Sequence, residues 1–334
     1  MENDDAATQF KQQCLDRLDR ILDGLQDLPR DGYVVDNDQL AVLDVRRARP
    51  LDVDDNSVDP AARFFQPRFS LDEARRMTEA YSAEPCARPR VVRWTRRCLS
   101  DPSPDPESFR SLCWPVEEAR RRFRWVMAAV GDNRSWRLVP DADEHNFGVW
   151  RDSPWVESSV HAQPPDLTLR VCASPIDSVY PWLIESLLLL GEDRAHINAP
   201  HLGAVVLGSA ESGEGDVLHS ELIAAVGPLQ LQFRRDDFWR HHTLPALVFS
   251  FQHDRLARIT QSHFDGQSLV LRQSRLLDLY GDEPTVDAYH MMRWIANRPI
   301  GDARFGTADV KEEREIRDNH DSSAGKLPIM VGAD

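Results

Sequence analysis

The chain has 334 residues, with 55 acidic and 40 basic side chains, giving a formal charge of −15; that balance opposes nonspecific binding to nucleic acid or anionic membranes. Hydrophobic residues make up 41% and charged residues 28%, enough apolar material for one large core or two ordinary domains. Lysine occurs only at Lys11, Lys311 and Lys326, all in terminal segments, so a phosphate-loop, kinase or Schiff-base enzyme would lack its central side chain.

The opening "MENDDAATQF" has no basic start followed by an apolar run, so a secretory leader is not expected. Cysteines stand at 14, 86, 98, 113 and 172 with no Cys-x-x-Cys pair. Free thiols in a reducing compartment are the simplest reading, which suggests an intracellular protein, cytoplasmic or nuclear. The longest apolar run, "PWLIESLLLLG", is too short to span a bilayer and contains Glu185.

"FKQQCLDRLDRILDGLQDL" predicts an amphipathic helix. Phe10, Cys14, Leu18, Ile21 and Leu25 recur at three or four residues, and Leu15, Leu22 and Leu28 widen the stripe. The stripe must be buried against this chain or a partner, which makes Leu18 and Leu22 candidate partner contacts. Tyr33 to Val35 and Leu40 to Val45 read as short strands beside turn residues. Asp52, Asp54, Asp55 and Asp59 then form an acidic loop without calcium-binding spacing.

"SLDEA" opens a helix over 70–82, with Ser70 and Glu73 spaced as a capping box. Residues 87–124 reverse the charge, with ten arginines against five acids. Val91 to Trp94 reads as a strand flanked by arginine. "PVEEARRRFRWVMAAVG" reads as a helix with Phe123, Val126, Met127 and Val130 on its apolar side. Arg93, Arg97 and Arg121 are the candidate contacts to an acidic protein surface. A nucleic-acid phosphate is the less favoured alternative, since no zinc-finger or helix-turn-helix spacing accompanies them.

The middle region is rich in turns and aromatics, with strands expected at 136–139, 146–150 and 167–172. Asp141, Asp143, Glu144, His145, His161 and Asp166 supply oxygen and nitrogen groups of metal-binding type. "PPDLTLRV" resembles the proline-aspartate entrance of the restriction-endonuclease-like nuclease core, but no E-x-K follows. Residues 181–190 read as a buried helix through Leu183, Leu187 and Leu190. Ala204 to Leu207 reads as a strand, and "GSAESGEG" matches neither a dinucleotide nor a phosphate loop. Ser220 is placed to cap a helix over "ELIAAV".

Leu229, Leu231 and Phe233 alternate as in a strand. Ala246 to Phe251 reads as the next, followed by a hairpin of 256–262 and 268–272 in which Asp265-Gly266 forms a two-residue loop, with Phe264 facing Gln267. "TVDAYHMMRWIANRP" predicts the helix that covers this sheet. His241, His253 and His263 lie near strand ends.

The expected class is α+β, an antiparallel or mixed sheet with covering helices, in one large or two closely packed domains. The segments are 1–30, an N-terminal amphipathic helix or arm; 31–195, a mixed region; 196–301, an α+β region with a hairpin; and 302–334, a flexible acidic and polar tail. The leading functional expectation is a noncatalytic protein-interaction or scaffold protein with no cofactor and no membrane partner. The alternative is a metal-dependent hydrolase or nuclease, with Asp166, His241, His263 and Asp265 holding a divalent ion.

Overall fold

A computed structural model describes residues 2–28, 33–54, 64–83, 116, 119–124, 126, 155–159, 182–190, 199–234, 241, 243–253, 255–265, 267–281 and 283–300. The fold is mixed α+β. Helices pack on both faces of a mixed eight-stranded sheet.

The sheet centre comes from the most apolar strands. β6 (Leu202–Gly208) and β8 (Pro245–Gln252) are buried along their whole lengths and run parallel. Between them lies the short β7 (Val217–Leu218) and helix α4 (His219–Arg234), the crossover that a parallel pair requires. β9 (Leu256–Phe264) returns antiparallel to β8, and β10 (Leu269–Gln273) antiparallel to β9. β2 (Val45–Arg47) joins β10 in parallel. β5 (Trp182–Leu190) pairs antiparallel with β6, and β4 (Trp155–Ser159) with β5. The order is β2-β10-β9-β8-β6-β5-β4, and β11 (Leu277–Asp278) pairs with β9 off this path. The sheet therefore takes strands from both sides of the boundary drawn at residue 195.

Alternation along β8 sends its side chains to two cores. Ala246 and Val248 join the layer formed by α1 (Glu2–Gln26) and α4. Leu247, Phe249 and Phe251 join the opposite layer with α5 (Val286–Ile295) and with Val116, Ala119, Phe123 and Val126, which are helical. α3 (Leu71–Ala83) packs on α5, where the Thr78 hydroxyl meets Met292 Sδ at 3.6 Å. The α3 capping box forms as expected: Glu73 N donates to Ser70 Oγ at 3.2 Å, and Ser70 N donates to Glu73 Oε2 at 2.8 Å. Two small ladders complete the fold. β1 (Val34–Val35) pairs with β7, and β3 (Phe65–Gln66) with β12 (Arg298–Pro299).

Four readings of the sequence are corrected. Residues 182–190 form a strand, not a helix; a register shift between Ile184 and Ser186 breaks the two-residue period, leaving leucines at helix-like spacing. Leu229, Leu231 and Phe233 lie on α4, a helix covered on one side by the sheet and on the other by α1, so it has no polar face to reveal its period. Residues 40–42 belong to α2 (Asn37–Val42), which Asp36 caps in a box with Gln39. The hairpin loop is longer than the two residues expected. Phe264 pairs with Leu269 and His263 with Val270, so Asp265 to Ser268 lie between the strands. The Asp265 carboxylate closes that loop by accepting from Gln267 N and Ser268 N. The expected strands at 91–94, 136–139, 146–150 and 167–172, Gly266 and the 302–334 tail lie outside the described residues.

Candidate functional site

Three polar clusters stand out among the described residues. The first lies where the parallel strands end. Glu221, in the first turn of α4, meets Arg258 of β9; both side chains are only 1% exposed. Arg258 Nη1 is 3.4 Å from Glu221 Oε2 and donates to Asp216 O at 2.5 Å, while Nη2 donates to Gly213 O at 2.8 Å. Glu221 also accepts from Leu218 N, Gln252 Nε2 and Gln273 Nε2. Gln252 Oε1 in turn accepts from Ser212 N and Oγ at 2.9 and 2.8 Å. The network fastens the 212–218 loop to β8, β9 and β10. Apart from Arg258 Nε, which is buried without a partner among the described residues, the donors named here reach oxygens of the same chain, and the cluster satisfies buried groups that would otherwise be costly.

The second cluster joins the acidic loop to α5. Arg275 Nε and Nη2 donate to the Asp54 carboxylate at 2.8 and 2.7 Å. Nη1 and Nη2 donate to Asp287 at 2.9 and 2.6 Å. His290 Nε2 stands 3.3 Å from Asp54 Oδ1, and its Nδ1 is 3.4 Å from Arg293 Nη1. A guanidinium only donates, so Nδ1 is the acceptor and Nε2 carries the proton toward Asp54. The Arg275 hydrogen bond holds Asp54 below the ordinary carboxylate range. Burial lowers His290, so its neutral form is favoured.

The third cluster is histidine-rich. His201 precedes β6, His241 is buried nearby and His263 lies on β9. Phe64 packs on His263 at 5.0 Å and on His201 at 6.5 Å between ring centroids, and Phe65 lies edge-on to His201 at 5.2 Å. His201 Nε2 is 3.1 Å from Ile300 O. Burial, the largest influence on each, pushes both His201 and His263 down to about 4.

The residues singled out in the sequence divide clearly. Leu18 and Leu22 are buried within the chain in the layer shared with α4, so they are core residues and not partner contacts. Arg121 is helical and half-buried; Arg93, Arg97 and Asp166 lie outside the described residues, as do residues 141–145 and His161. Arg120 is fixed by Glu185 through contacts of 3.0 to 3.1 Å, and Arg122 is buried with Nη2 3.4 Å from Gly281 O. Asp265 is occupied by its own loop and by Arg46 Nη2 at 3.0 Å. Among the described residues, no group of three or more His, Cys, Asp or Glu is placed to hold a metal ion.

Arg258, Gln252, Arg275, Asp287 and His290 had not been singled out. Arg258 had a signal: it shares one side of β9 with Thr260 and Ser262, a polar row within a buried strand. Arg275 and Asp54 had none, because 221 positions separate them. Comparison with known proteins finds no matching family model, no matching curated protein and no matching solved structure. No helix among the described residues is long and apolar enough to cross a membrane.

Proposed function

We propose that the chain is a noncatalytic intracellular interaction protein, working in the cytoplasm or nucleus, that recognises an acidic protein surface through its arginine-rich 87–124 segment. The supporting observation is the commitment of the buried acid Glu221: both oxygens accept from donors of the same chain, which suits a fastening better than a proton carrier. On the helical segment, Arg120 and Arg122 hold the scaffold, while Arg124 is exposed. Arginine suits this task because its planar fork matches a carboxylate.

The test uses the intact chain as bait in a native pull-down, followed by titration of the captured protein. Changing Arg93, Arg97 and Arg121 together to Gln is expected to weaken binding by about tenfold, and added salt to weaken the wild type in the same direction. Equal affinity across variants and salt concentrations removes the arginine segment from recognition. A purified chain that retains a stoichiometric divalent ion and hydrolyses an ester or a nucleic acid overturns the noncatalytic reading.

A further inference from the structure

We propose that Arg275, His290 and Arg293 form a carboxylate-accepting notch, and that the chain's own Asp54 fills it in place of an acidic side chain of a protein partner. The notch is built without Asp54. Asp287 and Leu276 O hold Arg275, the latter at 3.0 Å; Arg293 contacts His290 and donates through Nε to Phe69 O at 2.6 Å. Asp287 itself accepts from Asp278 N at 2.8 Å. All these groups come from the β10–β11 connection, β11, α5 and the backbone before α3.

Asp54 comes from elsewhere and sits differently. Its side chain is 54% exposed, whereas that of His290 beneath it is 3% exposed. His290 and Arg293 are buried beneath it, while Arg275, which supplies the fork, is 39% exposed and open to a carboxylate from outside. Two donors of Arg275 meet Asp54 in the forked geometry that selects carboxylates, and His290 Nε2 lies 3.3 Å from Oδ1. Charge points the same way: Arg275 and Arg293 both act on Asp54 and favour its ionised form. Val53 remains buried beside Asp54, so the side chain can turn away without unseating its segment.

That the outside carboxylate belongs to a protein rests on the interaction reading above; the notch does not. Sodium acetate is the probe, titrated against sodium chloride at equal ionic strength. The readouts are the Arg275 Nε–H and His290 Nε2–H magnetic resonance signals and the thermal midpoint. Asp54→Ala is expected to show saturable shifts of both signals, about tenfold tighter than in the wild type, with an acetate-dependent rise in midpoint. Asp54→Asn, which keeps the side-chain volume and one acceptor, is expected to show the same effect more weakly and covers the case in which the alanine variant fails to fold. Adding Arg275→Gln to either variant, which removes the Arg275 signal itself, is expected to abolish the His290 shift and the rise in midpoint. Folded Asp54 variants without saturable shifts, or with a His290 shift unaffected by Arg275→Gln, overturn the notch. No partner is present in this experiment, so its failure leaves the arginine-segment reading standing. Failure of the arginine triple variant likewise leaves the notch standing.

Discussion

Arg258 shows what one buried guanidinium does for a loop. It bridges two backbone carbonyls and a carboxylate that lie 37 to 45 residues away in the chain. Changing it to Met leaves Glu221 buried beside neutral donors only, and leaves Gly213 O and Asp216 O without this partner. The expected loss is about 3–5 kcal/mol. Changing Glu221 and Arg258 together to apolar residues is expected to cost less than the two single losses combined, because the pair is coupled. Urea unfolding of the four proteins checks this; strictly additive losses would show that the two charges act apart. The histidine corner makes a pH prediction. His201 and His263 stand near 4 in the fold, against an ordinary value of 6.5. Below pH 6.5 the unfolded chain takes up protons that the folded chain refuses, so stability is full above that pH and falls as pH drops toward 4. His241 faces His201, while Asp265, Arg272 and Arg46 act on His263, and only Asp265 favours its charged form. The urea midpoint is expected to fall between pH 6.5 and 5, and His201→Gln to flatten part of that fall. An unchanged slope in the variant would place the proton uptake elsewhere.

Among the elements, α1 was legible because one side of it meets water and the other meets α4. Leu18 and Leu22 lie in the buried stripe, and Asp19, beside it, reaches Gln230 Nε2 at 2.6 Å and Arg234 at 3.8 Å. Changing both leucines to Asp is expected to remove most of the fold's stability, roughly 5–15 kcal/mol for a domain, because two charges would enter a dry interface. Denaturant unfolding checks this, and an unchanged midpoint would contradict the burial. The β8–β9–β10 run was also legible, through alternation and a strong turn signal. β5 and α4 were not. In β5 a bulge changes the phase of the alternation, and Leu187 to Leu190 fit a helix as well as a strand. In α4 the covering on both sides removes the contrast that periodicity reads. The β5–β6 contact has its own signature at Gly203, where a Cβ would stand 3.1 Å from Leu188 Cβ and 3.2 Å from its Cδ1. Gly203→Val is expected to cost about 1–3 kcal/mol by crowding the two strands, measured by the same unfolding assay; a neutral result would mean that Leu188 can move aside.

For the whole molecule, the limit of the sequence lies in joins between distant segments. Hydrophobic patterns locate strands and helices, but nothing in "LDVDDNSVDP" says that Asp54 meets Arg275, or that Arg46 reaches Asp265. The class of fold could be read from local pattern; the polar clusters required the topology. That same topology bears on biosynthesis. The segment carrying α1 and β2 finds its partners in α4 and β10, and Arg46 and Asp265 are 219 residues apart. At about 5–20 residues per second, translation takes roughly 10–45 s to cover that distance. Until α4 emerges, the leucine stripe of α1 has only the nearby Val35, Leu40 and Leu43 to pack on, and the nascent chain exposes apolar surface of the kind that chaperones cover.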